Sequence, residues 1–338
     1  MSDTPEPDQE PSCGHPRLAA DLVGHDAAEA QLAAAAESGR VHHGWLITGP
    51  KGLGKATLAY RFARRLLGAP RTGPRPFDVD MSHPVARRVA ALSHPDLFVL
   101  RRGLNDKGKP RRDIAVDDAR ALGAFFGLKP AEGGWRVAII DCVDDLNRNA
   151  ANALLKTLEE PPEKAVLLLV CHSPGGALAT IRSRCRRLAL HPLSEEETRT
   201  AASQILGVPI DPGILAQAQG RPGRAAALQA AGGGDELAAL RAAWGALGRQ
   251  GATATLPLAF AKGDAGQRFD LMLDLMLDAA RAAAKRAALA PDLRAASRWA
   301  NAWSALAQLR EDQHDLNMDA THALARAGAI LAAARAAA

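Results

Sequence analysis

No two of this chain's 4 cysteines, Cys13, Cys142, Cys171 and Cys185, stand in a C-x-x-C spacing. That excludes a zinc site of the usual kind and a small disulfide scaffold, and a reducing cytoplasm is the simple expectation. Aromatic residues make up 4% of the chain, with a single tyrosine. Alanine dominates the last third, and Ala-rich, Leu-spaced sequence favours packed helices over sheet. No run of about 18 apolar residues exists, which excludes a transmembrane helix. Met1–Pro16 is polar, acidic and proline-rich and lacks the apolar stretch of a secretory signal. A cytoplasmic protein without membrane contact is expected. Charge is not concentrated either. The net charge of +5 fits loose contact with nucleic acid, and equally a genome that favours arginine.

What is present is a change of pattern along 338 residues, enough for two or three domains. Met1–Arg17 reads as a disordered tail. Asp26–Ser38 reads as a helix, with Asp26 as cap and Gly39 as stop. Short apolar runs at Gly44–Thr48, Leu97–Leu100, Arg136–Asp141 and Val166–Cys171 alternate with helical segments at Ala56–Leu67, Val116–Leu128 and Asn149–Glu160. Gly68–Pro84 and Arg101–Arg112 read as loops, and Ile181–Leu190 leads through a basic stretch into a weak strand. Strands alternating with helices predict a parallel sheet. Past His191 the pattern is helical: Ser194–Leu206, Pro212–Gln219, then nearly everything from Asp235. The expected organisation is a tail over 1–17, an α/β domain with a parallel sheet over 18–190, a small helical domain over 191–232 and an all-α domain over 233–338.

Gly49-Pro50-Lys51-Gly52-Leu53-Gly54-Lys55 fits G-x-x-x-x-G-K, after a strand and before a helix, as a phosphate loop requires. The glycines let backbone N–H groups face a phosphate, the helix N-terminus adds its dipole, and Lys55 reaches the β- and γ-phosphates. The next residue should carry a hydroxyl for Mg²⁺, but it is Ala56. Thr57 follows, turned by about 100° along the helix. Ala138–Asp141 resembles a Walker B strand, with Asp141 placed to hold the metal's water shell. The following position is a glutamate in working ATPases of the AAA+ class, and here it is Cys142. A thiol with an ordinary pKa of about 8.5 is a poor base at neutral pH. Losing a general base costs about 10²–10⁴ in rate. ATP or ADP with Mg²⁺ is therefore expected to bind weakly or not at all, and no cofactor is required. Asp144 and Asp145 lie past the strand end and read as the start of a turn.

Asn152-Ala-Leu-Leu-Lys-Thr-Leu-Glu-Glu-Pro-Pro162, with Ser183-Arg184-Cys185 downstream and His42–Pro50 upstream, resembles the clamp-loader ATPases, and within them the delta-prime family of bacterial DNA polymerase III. The resemblance covers Leu22–Leu190 well; beyond it, only Gly220–Leu228 is similar. A generic amphipathic helix would account for the leucines of Asn152–Pro162, not for the whole match. The three regions then become an AAA+ domain, a lid and a collar. The resemblance implies that Arg184 is an arginine finger reaching a neighbour's ATP, worth about 10³–10⁵ in rate. It also implies that Arg224 stands against the chain's own nucleotide. Arg182, Arg186 and Arg187 read as a solvated basic edge or as phosphate contacts. Many relatives carry a four-cysteine zinc knuckle between positions 67 and 95. This chain has no cysteine there, so no zinc is expected.

The implied function is that of a non-motor subunit, itself no polymerase and at most a weak ATPase. Its implied partners are gamma/tau and delta subunits and, through the complex, a sliding clamp and primed DNA. An active gamma/tau-like motor ATPase is the alternative, and a stand-alone P-loop enzyme a third reading. A motor calls for a carboxylate at position 142. A stand-alone enzyme calls for a substrate lid, and none is evident.

Overall fold

The computed structural model describes residues 6, 8–9, 13–105, 108, 111–173, 177–230, 265–315 and 318–336. The remainder of the expected tail, residues 231–232 of the expected small helical domain and residues 233–264 of the expected all-α domain lie outside the described residues. The chain divides into two compact units, Met1–Ala226 and Ala227–Ala338.

In the first unit five parallel strands form one sheet in the order β2-β3-β4-β1-β5. They are β1 (Gly44–Thr48), β2 (Leu97–Arg101), β3 (Arg136–Asp141), β4 (Ala165–Cys171) and β5 (Arg186–Ala189). β1, β3 and β4 are buried along their whole length, as a parallel sheet covered on both faces requires. Period-two alternation sorts their side chains. Trp45, Ile47, Val137, Ile139, Val166 and Leu168 enter one core, while Leu46, Ala138, Ile140, Leu167 and Leu169 enter the other.

The first core is completed by α1 (Asp26–Glu37), α2 (Lys55–Leu66) and α3 (Pro84–Ala90). The second is completed by α4 (Val116–Gly127), α5 (Arg148–Glu159) and α6 (Ala179–Arg184). In α5, Asn147 Oδ1 accepts the Ala150 N–H at 2.9 Å. Pro161 and Pro162 stop the helix, because proline cannot continue the hydrogen-bond ladder. α7 (Glu195–Leu206) starts with a Ser194–Glu197 capping box and ends at Gly207, whose φ of 71° suits glycine. α8 (Pro212–Ala218) and α9 (Pro222–Ala230) follow.

Three local expectations change. Asp26 is the first helical residue of α1 and not its cap; His25 precedes it at φ 60° with no capping side-chain bond. α3 starts at Pro84, where the expected loop ends, and runs through residues to which no element was assigned. Residues 13–17, assigned to the tail by composition, are packed: Cys13 and His15 are buried, and Pro16–Leu18 forms a 3-10 turn.

The loop after α2 is held by charge. Arg61 and Glu29 are both fully buried and pair at 3.1 Å. Arg61 also donates to Asp78 at 2.8 Å, and Arg75 reaches Glu29 at 3.1 Å and Asp26 at 2.9 Å. Burial alone would raise the Asp78 carboxyl, but the Arg61 hydrogen bond and the nearby Arg75 outweigh it and hold its pKa below the ordinary value. A carboxylate with a depressed folded pKa stabilises above its unfolded pKa, and loses that contribution as pH falls through the folded one. Asp78→Asn should therefore lower the urea midpoint at neutral pH, with the gap from wild type closing as pH falls through the lowered folded pKa of Asp78. A gap that stays constant with pH would mean that the carboxylate's charge is not what matters.

The second unit contains α10 (Ala265–Leu289), α11 (Leu293–Asp315) and α12 (Ala320–Ala336). Phe269, Leu273, Met276, Leu306, Leu309, Leu324 and Leu331 form its core. Asp292 caps α11 by accepting the Ala295 N–H at 2.9 Å. None of the described helices is long and apolar enough to cross a membrane.

Candidate functional site

The carboxyl edge of the sheet carries the phosphate loop. Gly49 follows β1 at φ 146°, and Gly52 and Gly54 have φ of 84° and 88°. A Cβ at Gly49 would lie 2.6 Å from the Leu190 carbonyl oxygen, so only glycine fits. Lys55 opens α2, is 3% exposed, and donates from Nζ to the Pro50 carbonyl at 2.7 Å. Leu53 is buried, and its carbonyl meets His25 Nε2 at 3.0 Å. Pro50 and Lys51 flank the turn. Ala56 and Thr57 are half-buried on the first turn of α2; the methyl of Ala56 offers a metal nothing.

α9 begins on this loop. The Gly223 N–H donates to Gly52 O at 2.9 Å, and a Cβ on Gly52 would stand 3.0 Å from the Arg224 backbone nitrogen. Arg224, buried at 8% exposure, is thus brought beside Gly52.

On the neighbouring strand Asp141 ends β3 and is 9% exposed. Cys142 is buried, and burial, with Asp145, Asp141 and Asp144 nearby, drives its thiol far above the ordinary range. A thiol so held stays protonated and cannot take a proton from water. Asp144 does not replace it, because its two oxygens accept the N–H groups of His172 at 2.6 Å and Ser173 at 2.8 Å. Asp145 is 3.2 Å from Arg102 Nε, and burial raises its pKa despite that partner. Both aspartates belong to the 3-10 turn Val143–Asp145 and its contacts. Cys171, at the end of β4, is pushed up to about 11 by burial. Burial, then Lys55, Lys51 and Arg102, hold His172 well below its ordinary pKa, so its ring is neutral.

Arg184 lies at the other edge. It ends α6, a six-residue helix without a side-chain cap that sequence pattern does not reveal. Its Nη2 pairs with Glu159 at 2.7 Å, and its Nη1 donates to Thr180 O at 3.1 Å. Around it the three family-like segments meet: a Cβ on Gly44 would stand 3.0 Å from both Cys185 Sγ and Leu158 Cδ2, and 3.6 Å from Arg184 O. Gly44 starts β1, whereas the phosphate loop follows its end. At about 3.3 Å per residue, five residues separate the two edges by roughly 16 Å. The two groups of residues singled out by sequence, the phosphate loop with its neighbours and Arg184, therefore lie at opposite edges of the sheet. Gly49–Thr57, Asp141 and Arg224 share the carboxyl edge, and Arg184 occupies the amino edge.

The neighbouring arginines do not act as one patch. Arg182 donates to Ala177 O at 2.8 Å, Arg186 lies 5.0 Å from the centre of the Trp45 ring, and Arg187 donates to Thr48 Oγ1 at 3.3 Å. Within 101–112, Arg102 and Arg111 are bound to Asp145 and Asp118. Arg102, just after β2, is held near the carboxyl edge by Asp145 at 3.2 Å, a placement that sequence reasoning does not give.

A parallel sheet of this order, with a glycine-bent loop between β1 and a helix, defines a P-loop α/β domain of the AAA+ fold. Residues 24–194 match the family described as DNA polymerase III, delta subunit, and the chain belongs to that family. The chain is 38% identical over 143 residues to the DNA polymerase III subunit delta' of Pseudomonas aeruginosa, covering 42% of this chain and 41% of that one. With subunit delta' of Yersinia pestis it shares 39% over 155 residues, covering 46% and 43%. With subunit tau of Escherichia coli the figure is 34% over 191 residues, covering 56% and 28%. The chain spans less than half the length of each of these relatives.

Proposed function

We propose that this chain is a non-motor subunit of a bacterial clamp loader, lending Arg184 in trans to a neighbouring ATPase. The observation that carries the reading is the split site. Arg184 stands at the amino edge, about 16 Å of strand away from the chain's own phosphate loop, and its guanidinium is partly exposed at the surface. A planar, permanently charged fork suits a neighbour's γ-phosphate. Glu159, from the long family-like helix, orients it. At the chain's own loop, Ala56 and the protonated Cys142 leave neither a metal hydroxyl nor a base. Mg²⁺ prefers hard oxygen ligands, and among these motif positions only Asp141 supplies one. The neighbours would be gamma/tau and delta subunits, and the assembly would place a sliding clamp on primed DNA.

A gamma/tau-like motor is the second reading, favoured by the likeness to tau. It requires turnover by the chain's own site. Steady-state hydrolysis by the purified chain separates the two: the non-motor reading expects turnover at least about 10²-fold below the ordinary enzyme range near 1–10 s⁻¹.

A further inference from the structure

We infer that the end of the second unit where α10 turns into α11 is a docking site for an acidic peptide that carries apolar side chains. Leu289 and Leu293 are its apolar contacts, and Lys285, Arg286 and Arg294 its charged ones. The site is independent of the clamp-loader reading. Leu289 ends α10 and Leu293 starts α11, with Ala290, Pro291 and Asp292 between them. The two leucines are 76% and 77% exposed, the most exposed large apolar side chains among the described residues. The turn that carries them is fixed. The Asp292 N–H donates to Ala287 O at 3.0 Å, and the Asp292 carboxylate caps α11. Two leucines are thus held in water on an ordered turn, where covering them removes apolar surface at little cost in chain entropy.

The charge around them is of one sign. From Ala279 to Leu309 the chain carries five cations, Arg281, Lys285, Arg286, Arg294 and Arg298, and one carboxylate, Asp292. α12 has no acidic residue and packs against both α10 and α11. Its short connection makes it antiparallel to α11, so its last turn, with Arg335, comes to the same end. Asp274 and Asp312 lie toward the other end and pair with Arg310 and Arg326. Asp278 stands 3.6 Å from Arg281. Lys285, Arg286 and Arg294 are exposed. Helix dipoles account for only part of this. Lys285 and Arg286 suit the carboxyl end of α10, but Arg294 is on the first turn of α11, where the dipole opposes a cation. An acidic partner offsets that repulsion. A nucleic-acid backbone would neutralise the cations and leave both leucines in water. A peptide with apolar side chains among acidic ones meets both features.

Fluorescence anisotropy of a labelled glutamate peptide bearing two leucines, titrated with the full chain, tests this. The peptide should bind with a Kd of about 10–100 μM at low salt, and more weakly as salt rises. Leu289→Ser with Leu293→Ser should weaken it by about tenfold or more, since both apolar contacts are lost. Lys285→Glu with Arg294→Glu should weaken it by about tenfold at low salt. The same peptide with serines for its leucines should lose as much on the wild type, and nothing further on the leucine variant. All four side chains are exposed, so the urea midpoint of each variant should match wild type. No binding, an affinity that the leucine pair leaves unchanged, or tighter binding of oligothymidylate or phosphatidylserine vesicles than of the peptide would overturn the inference. So would self-association, seen by sedimentation, that Leu289→Ser with Leu293→Ser abolishes, because the occupant would then be a second copy of this chain. None of these results bears on Arg184.

Discussion

Arg184→Ala, in an assembly reconstituted with the ATPase subunits, is expected to lower ATP hydrolysis by about 10³-fold or more at the site it serves, while the assembly still forms. The size follows from what a guanidinium does at a γ-phosphate, where charge develops in the transition state and a preorganised donor acts in a site that excludes water. The variant should fold normally. Among the described residues the ion pair it loses is with Glu159 at the surface, and exposed pairs contribute about 0–1 kcal/mol. Arg184→Lys should recover little, since a point charge does not reproduce the planar fork. Glu159→Gln should have a far smaller effect, because Thr180 O still holds the side chain. Steady-state hydrolysis, alongside a sedimentation measurement of assembly, checks all three. Unchanged hydrolysis by Arg184→Ala would remove it from the mechanism.

Glu29→Ala is expected to destabilise the first unit by about 3–5 kcal/mol, since it leaves the buried Arg61 charge without its buried partner. Arg61 has no exposed surface, and Arg75, the other guanidinium on Glu29, comes from the loop that the network ties down. The paired change Glu29→Leu with Arg61→Met should cost much less than Glu29→Ala, because apolar side chains of similar volume avoid burying charge. The urea transition of the full chain, followed through the buried Trp45 core, measures both, and the non-additivity gives the coupling. A loss below about 1 kcal/mol for Glu29→Ala would mean that the pair is a surface-like contact.

The sheet was readable from sequence because its strands are buried on both faces. Arg136–Asp141 and Gly44–Thr48 were delimited to the residue, and β4 begins one residue earlier than expected. The phosphate loop was readable from spacing alone. α3 falls where no element is assigned from sequence, although Pro84 at its first turn and His83, whose Nδ1 accepts the Val85 N–H, form a recognisable start. α6 gave no signal: six residues without a cap cannot show helical periodicity. What pattern could not supply was long-range pairing. Arg102 with Asp145, Arg184 with Glu159, and Gly44 against Leu158 and Cys185 each join segments far apart in sequence. These contacts separate the cations at the two edges of the sheet. Asp144 and Asp145 were correctly read as a turn, but the amides that Asp144 holds at His172 and Ser173 become visible only with β4 in place.

On the proposed reading the chain keeps a phosphate loop yet acts on another subunit's nucleotide. The most direct test is ATP turnover by the purified chain alone, with Mg²⁺ and at saturating ATP. The expected rate is below about 10⁻² s⁻¹, as loss of the base alone predicts relative to ordinary enzymes. Turnover near 1 s⁻¹, abolished by Lys55→Ala, would contradict it and make the chain a motor.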